Sequence, residues 1–160
     1  MTNELNTSEF KPIEWTDAMS TGIAAVDAQH RFLVDTLRGA SEALLPNPET
    51  SRLAEVARDL LGYALVHFET EEKLMAKYGY TEARRWRAAA HIAQHRHFSR
   101  QVVEVLDALR EGRSVTSLDV LRFLNDWLRD HVLGIDQELA AFIAASPAFQ
   151  AEEGVTGRSK

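Results

Sequence analysis

The sequence predicts an all-α fold: an antiparallel, up-down-up-down four-helix bundle preceded by an N-terminal arm. Three observations predict it. Apolar residues recur about every 3.6 positions along almost the whole chain, which is the mark of amphipathic helices. Only 8 glycines and 4 prolines occur in 160 residues, too little turn chemistry for many short strands. The links between periodic stretches are short, and long helices joined by short links reverse direction at each one. A chain of this length suits one domain, able to bury roughly 70% of its unfolded surface.

Residues 1–17 form the arm, whose Phe10, Ile13 and Trp15 are placed to pack on the bundle. The bundle itself spans 18–146. Its first helix runs from about residue 21 to 45 on the stripe Ile23, Val26, His30, Leu33, Leu37 and Leu44, and Pro46 and Pro48 end it. Asn47 followed by Pro48 reads as the N-cap and first-turn proline of the second helix. That helix carries Leu53, Val56, Leu60, Ala64, His67, Glu71 and Leu74 and continues to about Lys77. The segment Tyr78 to Thr81 turns the chain over.

The third helix runs from about Glu82 to Arg110, with His91, His95, Phe98, Val102, Val105 and Leu109 on one face. Gly112 and the Ser/Thr-rich stretch 114–117 end it and cap the fourth. The last helix carries Leu121, Leu124, Leu128, His131, Ile135 and Leu139 without a break and closes at Pro147. The tail, 147–160, is expected to fray.

Composition removes several kinds of chemistry. The absence of cysteine excludes disulfide scaffolds, thiolate zinc sites, Cys-ligated iron–sulfur clusters and Cys nucleophiles. A net charge of −6 argues against a nucleic-acid surface, which needs clustered positive charge. The polar start, MTNELNTSEF, has neither the basic nor the apolar region of a secretory signal, and no apolar run approaches the ~20 residues of a membrane span. A soluble, cytoplasmic protein is expected.

The informative residues are the histidines. Of six in the chain, His30, His67, His91, His95 and His131 fall on the apolar stripes, with at least one on every helix. A lone histidine there reads as a satisfied core residue. Five in one small core are another matter, because each buried imidazole needs a hydrogen-bond partner or a metal, and helix interiors offer few free partners. A shared metal site satisfies all five.

His91 and His95 stand one helical turn apart and reach one metal together. The segment between them, HIAQH, lacks the Glu of a zinc-protease HExxH motif, which excludes that hydrolase. His67 and Glu71 are likewise one turn apart. Glu69 and Glu72 lie about 200° and about 140° from His67, so Glu71 is the inward acid and the other two read as solvated. On the fourth helix periodicity does not choose. Asp136 is about 140° round from His131 and about 7.5 Å along, while Glu138 is better in angle but about 10.5 Å away. The Cβ tilt toward the helix N-terminus favours Asp136. Asp130 points off the stripe. His97 lies on another face and reads as solvent-facing, as does the Arg-rich stretch 84–87. Asp27 and Gln29, beside His30, read either as outer partners of an imidazole or as solvated.

These pieces resemble the hemerythrins, and among them the single-domain bacterial hemerythrins, from about Trp15 to about Phe142. The matching segments are VDAQH (Val26 to His30), HFETEE (His67 to Glu72), HIAQHRHF (His91 to Phe98) and WLRDHVLGID (Trp127 to Asp136), in order and one per helix. The resemblance implies seven metal ligands: His30, His67, Glu71, His91, His95, His131 and Asp136. His91, His95 and His131 would hold one iron, and His30 and His67 the other. Glu71 and Asp136 would bridge them with an oxo or hydroxo group. One departure stands out: Thr81 replaces the proline usual after the turn tyrosine, and His91 follows Tyr80 by eleven residues, which reads as about five extra residues at that tip of the third helix.

With that ligand set, one iron is six-coordinate and the other keeps one open position. The resemblance implies that O2 binds end-on there, taking one electron from each iron to give a bound hydroperoxide. Leu33, Phe68, Trp127, Leu128 and Val132 are expected to wall a dry pocket over the open position. The implied function is reversible O2 binding, as a carrier, store or sensor, without enzymatic activity; a sensor would require a separate signalling or O2-accepting partner. The alternative is a diiron enzyme, an oxidase, peroxidase or ferroxidase. Against it, ferritin-like diiron enzymes carry Glu-x-x-His on two helices, and the chain has none. A third reading is a metal-free or zinc-filled helical interaction protein. Nitrogen and oxygen donors accept several first-row metals, so the choice of two iron ions rests on the resemblance.

Overall fold

The computed structural model describes residues 10–46 and 48–156, with the side chains of 155 and 156 excepted. All regular structure among them is helical: a 3-10 turn (Asp17–Met19), then α1 (Ala24–Leu44), α2 (Thr50–Lys77), α3 (Tyr80–Ala83), α4 (Arg85–Arg110), α5 (Ser117–Leu133), α6 (Ile135–Ala144) and α7 (Pro147–Thr156). The long helices α1, α2, α4 and α5 form an antiparallel four-helix bundle. Around it, α2 packs on α1 and α4, and α5 packs on α1 and α4. Among the described residues, no single helix is long and apolar enough to cross a membrane.

The expected stripes are the buried faces. Val26, His30, Leu33, Leu37 and Leu44 of α1 are buried, as are Leu53, Leu60, Ala64, His67 and Glu71 of α2. Val56 and Leu74 of α2 and Val105 and Leu109 of α4 are only half-buried; the face of α2 is centred nearer Ala57 and Met75, and α4 buries Ala108 instead. Phe10, Ile13 and Trp15 pack on the bundle. The Ile13 amide donates to Asn125 Oδ1 at 2.7 Å, and the Asn125 amide in turn donates to the Leu121 carbonyl at 2.6 Å.

Four local features differ from expectation. Helix α1 starts at Ala24 because residues 20–22 fold back on Asp27, whose carboxylate accepts from the Thr21 amide (2.8 Å), the Thr21 hydroxyl (2.7 Å) and the Gly22 amide (3.3 Å). Helix α2 starts at Thr50, with Glu49 at the cap position, so Pro48 precedes the helix; the expected cap, Asn47, lies outside the described residues. The third helix is two pieces. Gly79 turns the chain at φ 75°, a conformation glycine adopts without steric cost, and α3 ends at Ala83, with non-helical Arg84 separating it from α4. The tail does not fray over 147–156: it forms α7, held by Phe149 against Tyr78 and by Glu152, which accepts from the Tyr78 hydroxyl at 2.6 Å.

The fourth helix also breaks, and this break positions the site. Helix α5 ends at Leu133, and α6 restarts after Gly134, whose carbonyl accepts from the Gln137 and Glu138 amides. Asp136 thereby enters in the first turn of a new helix and is not bound to the register of His131. The buried stripe moves with it, onto Asp136, Leu139, Ala140 and Ile143, and Ile135 is only half-buried.

Two apolar clusters fill the bundle. The larger contains Leu33, Leu37, Leu60, Phe68, Phe98, Leu124 and Leu128; the smaller contains Val26, Met75, Tyr80, Ala88, Leu139 and Ile143. On every long helix the residues between the two clusters are polar: His30, His67 with Glu71, His91 with His95, and His131, which Asp136 joins from the first turn of α6. The core is therefore cut by one transverse polar layer. Burial of this kind is costly unless the groups satisfy one another or share a ligand.

Candidate metal centre

All seven residues of that layer are buried, none more than 2% exposed as a whole. Their ligating atoms converge in two groups. His91, His95 and His131 form one group with Glu71 and Asp136; His30 and His67 form the other with the same two acids. The oxygens divide between the groups. Glu71 Oε2 lies 2.9 Å from His95 Nε2 and 3.2 Å from His91 Nε2, while its Oε1 lies 3.3 Å from His67 Nε2 and 3.5 Å from His30 Nε2. Asp136 Oδ1 lies 2.9 Å from His91 Nε2 and 3.0 Å from His131 Nε2, and its Oδ2 lies 3.0 Å from His30 Nε2. Each carboxylate thus spans both groups, one oxygen to a side.

Hydrogen bonding alone does not satisfy this layer. Glu71 Oε1 and both Asp136 oxygens are buried without a well-aligned hydrogen-bond donor, close as the imidazoles are. His30 Nε2 and His67 Nε2 face each other at 3.0 Å, and His95 Nε2 and His131 Nε2 at 3.2 Å, so at most one of each facing pair can place its proton between them. Five nitrogens and four oxygens aimed inward at short range suit cations placed among them. The donor set, neutral imidazoles with carboxylates, is the kind that first-row transition metals accept.

Proton binding reflects the same crowding. Burial disfavours charge on His30 and His91, yet the carboxylates of Asp136 and Glu71 outweigh it and push both up to about 9. His131 is raised for the same reason. Burial holds His95 down, with help from His131 and His91, despite Glu71. Burial acts to raise both acids, but the surrounding histidines outweigh it and hold Glu71 well below the usual carboxylate range and Asp136 below its own.

The sign for stability follows from these directions. The raised histidines add stability that is complete below their ordinary 6.5 and is lost as pH climbs through about 9. The lowered acids add stability that is present above their ordinary 4.5 and 3.8 and is lost as pH falls. The metal-stripped chain is therefore expected to melt at its highest temperature between about pH 5 and pH 6.5 and lower at about pH 9. Thermal unfolding followed by circular dichroism checks this, and a profile still rising at the alkaline end contradicts it. A bound cation needs unprotonated nitrogens, so binding is expected to release protons and strengthen across that window.

The layer is backed by groups that lie on neighbouring helices. Gln29 Oε1 stands 2.6 Å from His67 Nδ1, Gln94 Oε1 2.8 Å from His131 Nδ1, and Glu72 Oε1 3.2 Å from His95 Nδ1. Gln29 therefore serves His67, not its neighbour His30, and Asp27 serves the turn before α1. Glu72, expected to be solvated, is half-exposed and bonded to an imidazole. Glu69 is exposed and pairs with Lys73; Glu138 is exposed and pairs with Arg87. His97 and residues 84–87 are exposed, as expected.

Beside the layer lies a cavity walled by apolar side chains together with His67 and His131, its volume about 10 Å³ as room for the centre of a water-sized sphere. Leu33, Phe68, Trp127 and Leu128 line it; Val132 is buried but is not among its walls. The Phe68 ring stacks on His95 (centroids 3.9 Å apart) and Trp127 stacks on His131 (4.4 Å).

Comparison with known proteins finds relatives over most of the chain. The family described as "Hemerythrin HHE cation binding domain" matches residues 21–143. A bacteriohemerythrin of Pseudomonas aeruginosa (strain LESB58) is 33% identical over 122 residues, covering 76% of this chain and 75% of that protein. One from Stenotrophomonas maltophilia (strain R551-3) is 31% identical over 132 residues, covering 82% and 81%. The crystal structure of a wild-type hemerythrin superposes with a TM-score of 0.73 at 25% identity, over 84% of this chain and all of that one.

Proposed function

Because this chain belongs to the hemerythrin family, we propose that it is a diiron protein that binds O2 reversibly, as a carrier, store or sensor and not as an enzyme. The observation that carries the reading is the inequality of the two ligand groups. Both draw on Glu71 and Asp136, but one has three imidazoles and the other two. His91, His95 and His131 would hold one iron and His30 and His67 the second, with the two carboxylates and a shared oxygen between them. Iron held there would supply the electrons for binding O2, and the two-histidine group, with one nitrogen fewer, is the side on which we place O2, end-on.

The residues of the chain do the rest. Glu71 and Asp136 hold the two metal positions together with one oxygen each and balance their charge. Gln29 and Gln94 fix the rings of His67 and His131 from behind. The cavity touching His67 has room for about one small molecule, and its walls offer water almost none of the two to four polar partners it needs. Leu33, Phe68, Trp127 and Leu128 thus admit O2 and keep out the water that promotes irreversible oxidation.

The test is an oxygenation spectrum with metal stoichiometry. Anaerobically reduced, iron-loaded protein is expected to develop charge-transfer absorption on exposure to O2 and to lose it on deoxygenation, over repeated cycles. Irreversible oxidation with turnover of a reductant would replace this reading with the enzyme. Purified protein holding zinc, or one metal per chain, would end both.

A further inference from the structure

The five imidazoles of the centre are backed unequally. His67 and His131 have the neutral amides of Gln29 and Gln94 behind them, and His30 Nδ1 and His91 Nδ1 meet no partner among the described residues. His95 alone has a carboxylate, that of Glu72, at 3.2 Å. A carboxylate only accepts, so His95 must donate from Nδ1. That choice of tautomer leaves its Nε2 unprotonated and directed at Glu71 Oε2, 2.9 Å away inside the centre.

Glu72 stands where the centre meets solvent. Its side chain is 41% exposed while that of His95 is 3% exposed. It lines an open groove of about 630 Å³ between α2 and α4, in which His95 and Phe68 also take part. The other acid of that groove, Glu69, is engaged by Lys73 at 2.9 Å. Glu72 is thus the groove's link to the buried imidazoles.

We propose that Glu72 is a positioning residue for the three-histidine iron: it locks the tautomer and ring orientation of His95, and its charge makes His95 the strongest nitrogen donor of the set. This rests on the diiron reading above. A carboxylate accepting from a ligand imidazole raises the basicity of the metal-facing nitrogen, and such outer partners are worth about 10–100-fold in metal affinity. A stronger donor favours the ferric over the ferrous ion, so Glu72 lowers the reduction potential of the centre. It does so on the side without the open position, which makes the two irons electronically unequal beyond their count of histidines.

Glu72→Ala and Glu72→Gln, compared with the wild type and with Glu69→Gln, test this in the iron-loaded protein through chelator competition and spectroelectrochemical titration. Glu72→Ala is expected to weaken iron binding about 10-fold or more and to raise the potential. Glu72→Gln keeps an acceptor oxygen at the same reach, so it should restore most of the affinity while the potential stays raised. Glu69→Gln should match the wild type in both. Unchanged affinity and potential in Glu72→Ala overturn the proposal, as does an equal loss of affinity in both variants with no shift in potential. A wild-type chain that takes up another metal sinks the diiron reading instead. Chelator competition with that metal then decides the role of Glu72: loss in Ala rescued by Gln supports it, and unchanged affinity overturns it.

Discussion

Asp136→Ala is expected to empty both halves of the centre at once, weakening metal binding by at least ~100-fold. The reason is geometric. Asp136 Oδ1 faces His91 and His131 while Oδ2 faces His30, so one substitution removes an oxygen from each ligand group. His131→Ala is different, because it takes a single nitrogen from the three-histidine group and leaves the other group whole. Asp136→Asn separates charge from shape, since it fills the same space and removes the negative charge that holds two cations at close range. It should bind metal nearly as poorly as the alanine variant. Glu138→Ala, two residues on and exposed, should keep the wild-type content. Without metal, Asp136→Ala strands raised histidines beside one remaining acid, and loss of a partner from a buried charged cluster costs about 3–5 kcal/mol. Iron assay after gel filtration and urea unfolding of the stripped chain measure the two effects. Asp136→Ala retaining two irons would remove this residue from the centre.

Most of the layer was legible in sequence because helical periodicity alone places His30, His67, Glu71, His91, His95 and His131 on buried faces. Asp136 was not legible in that way. A continuous helix puts it about 140° from His131, and only a break releases it. The signal lay in the sequence: Gly134 interrupts an apolar stripe, and a glycine inside a helical pattern weakens the case for continuity. The same break moved burial from Ile135 to Asp136. The tail offered little periodicity, and α7 exists through Phe149 and Glu152 meeting Tyr78, contacts between residues far apart in the chain.

The groups behind the imidazoles follow a rule that a single-helix reading misses. Gln29 precedes His30 but serves His67; Gln94 precedes His95 but serves His131; Glu72 follows Glu71 but serves His95. A residue next to an inward ligand points about 100° off the inward direction, toward the adjacent helix. The acid nearest His30 on its own helix, Asp27, is occupied by the turn before α1. All three partners stand beside inward-facing residues of a neighbouring helix.

Gly134→Ala is expected to destabilise the chain by about 1–3 kcal/mol and to lower its iron content, although residue 134 has no side chain to offer a metal. A Cβ at this position would stand 2.7 Å from the Asp130 carbonyl oxygen, closer than real Cβ contacts come. The obstacle is backbone on α5, so it cannot swing aside as a long side chain would. Relief requires α5 and α6 to shift against each other. Asp136 enters the layer in the first turn of α6, and its oxygens serve both ligand groups, so a small shift there is felt by both. Other glycines give the opposite sign. Gly39 and Gly62 sit inside α1 and α2, exposed, with nothing within 4 Å of an added Cβ. Alanine at either should stabilise by roughly 0.5–1 kcal/mol, since it removes the entropy cost of glycine in a helix. Gly62→Ala is the sharper control because it lies on the same helix as His67 and Glu71. The two variants, compared by urea unfolding and iron stoichiometry, should move stability in opposite directions, with iron lost only in Gly134→Ala. Equal stability and full iron in Gly134→Ala would mean that the break between α5 and α6 does not depend on this glycine and that Asp136 is held in place by the packing of α6 alone.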